Sequence, residues 1–446
     1  MPTKVRKDFC ICTSLQAFVH KSVNSVCHGG CQGGIMGLAK GWMRQGEIID
    51  FGLLVLHNAK LIIIFARVNT TQANMENPFI ITGRIKPEYF CDRQTEARRI
   101  ITEVTQGENI VLMAARRVGK SKLIDFCLER PAIKDEFTTI SIDILRTSSI
   151  HEFAFELGKA VFESAASRGQ KMMKMVVNTL KSINGCFGYD PISNMPTFNL
   201  SLGDISNPLY TLDEVFSCLE QSDRRCIVAI DEFQQIANYP EKNMESILRT
   251  YVQKCSNANF IFSGSERHLI TQMFTERARP FYNSADMMNL EVIPIDKYLD
   301  FSTRLFSKFD KQVSEDAVGL AYDTFAGNTY YMQKVLHEAF NQTDVNGVAD
   351  ESMVKSIIHA LVLDNDHKFS EMLSRLTLPQ KELLYAIAKE GVARQITSSA
   401  FVKKHNLRSA SSIQNAAKRL LEYHLISTSQ TTYYIDDQLM KLWLNE

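Results

Sequence analysis

At 446 residues and 50.6 kDa the chain has material for two to four domains at about 100–200 residues each. It is 45% hydrophobic and 22% charged, which excludes wholesale disorder, and ten cysteines are too sparse for a disulfide-stapled secreted scaffold. Fifty Lys/Arg balance fifty Asp/Glu, so no global field draws the chain to nucleic acid or to a membrane.

The balance hides an uneven distribution. Residues 1–74 carry eight basic and three acidic side chains, a net +5; residues 75–374 carry 32 and 41, a net −9; residues 375–446 carry ten and six, a net +4. The C-terminal segment can therefore face a polyanion although the whole chain cannot be called basic.

In the first 74 residues, Cys10 and Cys12 form a CxC and Cys27 and Cys31 a CxxxC. Such spacing could ligate zinc, but no further ligand set accompanies it. The basic opening meets Asp8 and leads to no clean apolar run, unlike a signal peptide. Residues 48–66 are the most apolar stretch, yet Asp50, His57, Asn58 and Lys60 interrupt it, short of the roughly 20 apolar residues a membrane span needs. Residues 1–74 are expected to be either a poorly ordered extension or a mis-assigned start, with Met75 as the true one. A cytoplasmic protein without a membrane partner is expected.

Coherent domain text begins at residue 75. Phe90–Arg93 closes a proline-containing loop. From Gln94 to Gln106, Ala97, Ile100, Ile101 and Val104 recur on one helical face, and 107–109 reads as a turn. Ile110–Met113 is a short, wholly apolar run, as in a parallel strand buried on both faces. It enters Ala114-Ala115-Arg116-Arg117-Val118-Gly119-Lys120-Ser121, and a helix follows through Leu123, Ile124, Phe126 and Leu128. Strand, loop and helix in that order are the setting of a phosphate-binding loop. Its backbone N–H groups cradle phosphates, Gly119 lets the backbone approach, Lys120 reaches the β- and γ-phosphates, and Ser121 offers a hydroxyl to Mg²⁺. Ala114 stands where the GxxxxGK[ST] pattern has its first glycine, which is tolerable if that residue does not need a positive φ.

Thr138 to Ile144 reads as a second strand and Phe153 to Ser167 as a helix. Lys171 to Ile183 suits another helix, 184–210 is rich in Gly and Pro and reads as a long irregular connection, and Thr211 is expected to cap a helix to Gln221. Cys226–Ile230 is a further buried run that ends in Asp231-Glu232. An aspartate at the end of a strand beside the loop strand can hold Mg²⁺, and the next glutamate can polarise an attacking water. Asn259–Ser265 is a third core strand, with Ser263 or Ser265 placed to sense the γ-phosphate or orient water. Arg267, Arg277 and Arg279 are candidate cationic groups, Arg279 being carried as a catalytic candidate with Lys120, Glu232 and Ser263.

Helices over 295–309, 314–325, 329–340 and 348–363, with a break at Gly327-Asn328, make a lid spanning 295–374 beside a core spanning 75–294. Residues 375–446 have a separate logic: a helix over 378–389, a second capped by Thr397 or Ser398 to Lys404, and a third from Ser409 or Ser411 to Tyr423. Strands over 425–429 and 431–435 and a helix over 436–444 complete a winged helix-turn-helix. Its third helix presents Ser411, Ser412, Gln414, Asn415, Lys418 and Arg419, which suits DNA or a protein partner.

At this point the chain resembles the archaeal-type ATPases of the broader AAA+/STAND group, which also occur in Bacteroides-like bacteria. The resemblance rests on Asn77-Pro78-Phe79, Gly83-Arg84, residues 87–93, Arg116 to Ser121, Ile230-Asp231-Glu232-Phe233-Gln234, Phe262-Ser263-Gly264-Ser265, Arg279-Pro280-Phe281-Tyr282 and residues 327–331. It implies an α/β P-loop NTPase with a parallel sheet of the AAA+/ASCE type, a helical lid and a C-terminal winged helix-turn-helix domain. It also implies ATP at the 116–121 loop, to which the phosphate-loop pattern adds Ala114 and Ala115, adenine contacts near Asp92 and Arg93, Mg²⁺ at Ser121 and Asp231, and Glu232 as the residue that activates water. Thr329 departs from the Pro that family members carry there. The expected activity is Mg²⁺-dependent hydrolysis of ATP to ADP and phosphate as a conformational switch. The alternative is a nucleotide-gated DNA-binding or protein-interaction module with little turnover; both leave room for an oligomer.

Overall fold

The apolar runs assemble into one five-stranded sheet. In the computed structural model its strands are β1 (Ile110–Ala114), β2 (Thr138–Asp143), β3 (Cys226–Asp231), β4 (Ala258–Gly264) and β5 (Asp286–Leu290). They pair in the order β5-β1-β4-β3-β2, and every pairing is parallel. Side chains alternate between the two faces, as a two-residue period demands. Ile110, Leu112, Ile227, Ala229 and Ile261 join the cluster beneath helices Gln94–Gln106 and Lys120–Leu128. Val111, Val228, Ile230, Phe260 and Phe262 join the cluster beneath helices Ile150–Arg168, Pro208–Glu220, Met244–Lys254 and Arg267–Thr275. Both faces being covered explains why these strands read as continuous apolar text.

The register sets the functional edge. Met113 pairs with Gly264, Ile230 with Phe262, and Asp143 with Asp231, so β1, β3 and β4 end level with one another. The loops after these strands therefore open on one side, at the carboxyl edge where open α/β sheets bind ligands. One expectation is corrected here. The strand carrying Asp231 is not beside the loop strand, because β4 lies between them.

The structure describes residues 77–182, 205, 207–429 and 431–446, together with strand segments at 37–44, 47–55, 62–69, 187–190 and 195–198. The chain divides into two units, residues 1–76 and 77–446. In the first, Gly37–Arg44, Glu47–Val55 and Ile62–Asn69 form an antiparallel sheet. The Ile, Leu, Val and Phe content of 47–55 and 62–69 favours strands. Cys10, Cys12, Cys27, Cys31 and Met75 lie outside the described residues.

Other differences have local causes. The helix expected at Thr211 begins at Pro208, because Asn207 caps it by accepting from the Tyr210 N–H and proline suits a first helical turn. The connection expected to be irregular contains a hairpin, Phe187–Asp190 paired with Met195–Phe198. Edge strand β5 escaped the sequence reading because only Met288 and Leu290 of its five residues are buried. In the lid, Gln312–Val313 pairs with Val348–Ala349, so the last long helix starts at Glu351, capped by Asp350. At the C-terminus a third short strand, Val392–Arg394, joins Thr432–Tyr434 and Ser427–Ser429. Lid and C-terminal helices share one apolar cluster that includes Phe79, Val335, Leu336, Leu384, Leu420 and Leu439. Among the described residues, no helix is long and apolar enough to cross a membrane.

Candidate functional site

The loop after β1 turns through two left-handed residues, Arg117 at φ +65° and Gly119 at φ +95°, before the helix starts at Lys120. Ala114 is fully buried at the strand end and is not among the positive-φ residues, so its replacement of glycine leaves the turn intact. At Gly119 an added Cβ would meet Thr329 Cγ2 at an ordinary 3.5 Å. The demand for glycine there is therefore conformational, not spatial.

Lys120 is 7% exposed and bridges the two carboxylates at the end of β3, with Nζ 2.7 Å from Asp231 Oδ1 and 3.2 Å from Glu232 Oε1. The Ser121 hydroxyl donates to Asp231 Oδ2. Ser263, fully buried on the intervening strand β4, donates to Asp231 Oδ1 at 2.6 Å. Asp231 thus reaches the loop directly, through Lys120 and Ser121, while Ser263 braces its carboxylate from the intervening strand. Burial works against the Asp231 charge, but Lys120 and the Ser121 and Ser263 hydroxyls outweigh it and hold the carboxyl below its ordinary range. Glu232 behaves alike: burial opposes its charge, while Lys120, Gln234 and Ser265 lower its pKa.

Glu232 sits in the left-handed region, φ +56°, immediately before a 3-10 turn over Phe233–Asn238. The Phe233 ring is wedged among Phe262, Phe281 and Phe274, with centroids 4.5, 5.1 and 6.0 Å away. This aromatic packing fixes the backbone turn that points Glu232 at Lys120. Phe281 belongs to the Arg-Pro-Phe-Tyr segment, so that motif supports the site from beneath.

A second set of contacts ties the loop to the lid and to the C-terminus. Thr329 Oγ1 donates to the Val118 carbonyl at 3.0 Å, the Tyr330 N–H to the Arg117 carbonyl at 3.2 Å, and Asn328 Nδ2 to the Arg116 carbonyl at 3.3 Å. A proline at 329 would have no hydroxyl for the first of these. Arg117 Nη1 donates to the Tyr331 hydroxyl at 2.5 Å and to Asp437 Oδ2 at 3.1 Å, and its guanidinium lies over the Tyr330 and Tyr331 rings. Tyr331 also donates to Asp437, which caps the last helix. Burial and the Asp437 carboxylate push the Tyr331 hydroxyl upward, so it stays a donor.

The other candidates are placed as follows. Arg93 is 5% exposed, with Nη1 on Glu96 at 2.9 Å and Nη2 on the Glu291 carbonyl at 2.5 Å. Its charge is thus taken up in joining the 90–93 segment to the end of β5. Asp92 precedes it, also left-handed at φ +50°. Phe90 stacks on Phe126 at 4.0 Å, which docks this segment on the helix that follows the loop. Arg279 pairs with Glu245 at 2.6 Å and Glu276 at 3.9 Å, not with Asp231 or Glu232. Ser265 contacts Glu232 rather than Asp231, so the two serines of β4's end divide the two carboxylates between them. On the C-terminal domain Ser411, Gln414, Asn415 and Lys418 are exposed, while Arg419 is engaged by Glu422 at 2.7 Å. Gln234, Tyr331 and Asp437 have no role in the sequence reading, and the contacts of Tyr331 and Asp437 are ones that local pattern does not announce.

Ser121 Oγ and Asp231 Oδ2 form a pair of hard oxygen donors already in contact, a set that suits Mg²⁺. No cluster of three or more His, Cys, Asp or Glu with ligand geometry occurs among the described residues. Two protein oxygens with the rest supplied by phosphate and water is how Mg²⁺ is held at nucleotide sites.

Residues 90–335 match the family described as an ATPase domain predominantly from Archaea, and residues 367–446 match a probable winged helix domain. The fold is an α/β P-loop NTPase with a parallel sheet, a helical lid and a separate C-terminal winged-helix domain. No curated protein matches the chain. Among solved structures, the Walker-type ATPase PABY2304 of Pyrococcus abyssi is similar with a TM-score of 0.55 at 19% identity, covering 83% of this chain and 100% of that one. The ORC2 protein of Aeropyrum pernix, solved as ADPNP and ADP complexes, is similar with a TM-score of 0.52 at 13% identity, covering 83% and 97%.

Proposed function

Because the chain belongs to the family of ATPase domains found predominantly in Archaea, we propose that it binds ATP at residues 114–121 and hydrolyses it to ADP and phosphate with Mg²⁺. The observation that carries this reading is the meeting of Lys120 and Ser121 with Asp231 and Glu232 at one sheet edge. In it, Lys120 exchanges its two carboxylate partners for phosphate oxygens, and the backbone N–H groups of the turn cradle the phosphates. Ser121 and Asp231 hold Mg²⁺, which when bound neutralises charge on the phosphoryl oxygens. Glu232 accepts the proton of the attacking water, and Ser263 keeps Asp231 in place. The segment around Asp92 and Arg93 is assigned to the adenine side. Arg279 is retained as a cationic candidate that must first leave Glu245. Residues 75–294, 295–374 and 375–446 are taken as core, lid and winged helix-turn-helix. Phosphate release that requires Mg²⁺ and stops on chelation is the expected result; no release at any Mg²⁺ or ATP concentration would contradict the proposal.

A specific contact favours a second role, in which nucleotide occupancy is relayed to residues 375–446 and to a DNA or protein partner there. Arg117 of the phosphate loop touches Asp437, the cap of the helix Gln438–Trp443. Phosphates that reorganise the loop must disturb this contact. Amide exchange in Gln438–Trp443 is expected to change when ATP is added to the wild type and to lose that response in Arg117→Ala. An equal response in both would detach the C-terminal helix from the loop.

A further inference from the structure

Gln234 has no part in the steps above, yet it is one of the most constrained polar side chains of the molecule. It is 2% exposed, its Nε2 donates to Glu232 Oε2 at 2.7 Å, and its Oε1 is buried without a hydrogen-bond partner. The amide cannot be turned over to relieve this, because Oε1 would then face the Glu232 carboxylate. A buried acceptor left unsatisfied is costly, and a chain that keeps one has a use for the other end of the group.

Gly264 bears on the same point. It is not among the glycines with positive φ, so nothing conformational demands glycine there. Space does: a Cβ at 264 would lie 2.1 Å from Gln234 Oε1 and 2.8 Å from Ile270 Cδ1. Any other residue would evict the amide.

The donors around Glu232 are distributed unevenly. Oε2 receives Gln234 Nε2 at 2.7 Å, the Ser265 hydroxyl at 2.8 Å and the Ser265 N–H at 3.1 Å, whereas Oε1 meets only the Lys120 ammonium at 3.2 Å among these contacts. Three donors saturate Oε2. Only Oε1, on the side of Lys120, can take up a further proton once the ammonium turns to phosphate. We propose that Gln234 is a positioning residue which, with Ser265, clamps Glu232 so that Oε1 alone faces the reacting water, and that residue 264 is glycine to admit the Gln234 amide.

This inference rests on Glu232 being the proton acceptor, and the test separates the two. ATP hydrolysis by the full chain is measured for wild type, Gln234→Met, Gln234→Asn, Gly264→Ala and Glu232→Gln. Methionine fills the same volume without a donor, and asparagine keeps an amide too short to reach. Both are expected to lower kcat by about 10- to 100-fold, the usual cost of a misplaced catalytic group, with KM within about threefold. The thermal midpoint of Gln234→Met should equal or exceed that of the wild type, because the unsatisfied acceptor is gone; a merely structural residue would show the reverse. Gly264→Ala should lower kcat similarly, and should add little on a Gln234→Asn background, where the shorter amide clears the nearer clash and only the terminal methyl of Ile270 has to give way. Wild-type kcat in Gln234→Met and Gln234→Asn, with turnover abolished in Glu232→Gln, would overturn the clamp alone. Turnover retained in Glu232→Gln would overturn the proton acceptor and the clamp with it.

Discussion

Lys120→Ala is expected to lower ATP affinity by at least about 100-fold, roughly 3 kcal/mol, the upper range for hydrogen bonds to a charged group. The ammonium is the cation that stands at 2.7 Å from Asp231 Oδ1 and 3.2 Å from Glu232 Oε1. Its loss removes the charge meant for the phosphates and leaves two adjacent, largely buried carboxylates uncompensated. Both effects act against a polyphosphate ligand, so they reinforce one another. Lys120→Arg keeps the charge and separates electrostatic loss from loss of the compact ammonium. Equilibrium titration with a fluorescent ATP analogue reads the effect. An affinity unchanged in Lys120→Ala would remove the phosphate-loop assignment.

Glu232→Gln is expected to divide chemistry from binding. The amide is isosteric, so its carbonyl can still receive Ser265 and Gln234 while its NH₂ turns toward Lys120, which retains Asp231 as partner. The left-handed backbone at φ +56° and the Phe233 wedge are untouched. ATP affinity should stay within about threefold, while kcat falls by about 10² to 10⁴, the range for removing a general base. Single-turnover phosphate release alongside nucleotide titration measures both. Normal turnover in this variant would place the proton acceptor elsewhere.

What could be read from the sequence follows from how local each signal is. Strands β1, β3 and β4 were legible because burial on both faces makes them apolar throughout, and the Gly119-Lys120-Ser121 turn between strand and helix names its own chemistry. Strand β5 was not, since an edge strand carrying Asp286 and Asn289 resembles a loop. Thr211 suits a cap because threonine often is one, but Asn207 followed by proline is the stronger start. Strand order lay beyond the sequence, so the placement of β4 between the loop strand and Asp231 emerged only from pairing. Buried polar partnerships were the least legible. Arg93, expected near the adenine, and Arg279, a candidate for the phosphoryl group, are held by Glu96 and Glu245. Arg117 and Asp437 are 320 residues apart, and no local pattern links them. Gln234 did leave a trace, as an amide set between Phe233 and Ile236 just after the carboxylate pair, with Gly264 between two serines as its counterpart.

The most direct measurement of the central claim is ATP affinity with and without Mg²⁺ in the wild type and in Asp231→Asn. If Ser121 and Asp231 serve one metal–phosphate pocket, Mg²⁺ tightens binding in the wild type and that enhancement disappears in Asp231→Asn. An undiminished Mg²⁺ enhancement in Asp231→Asn would contradict the account.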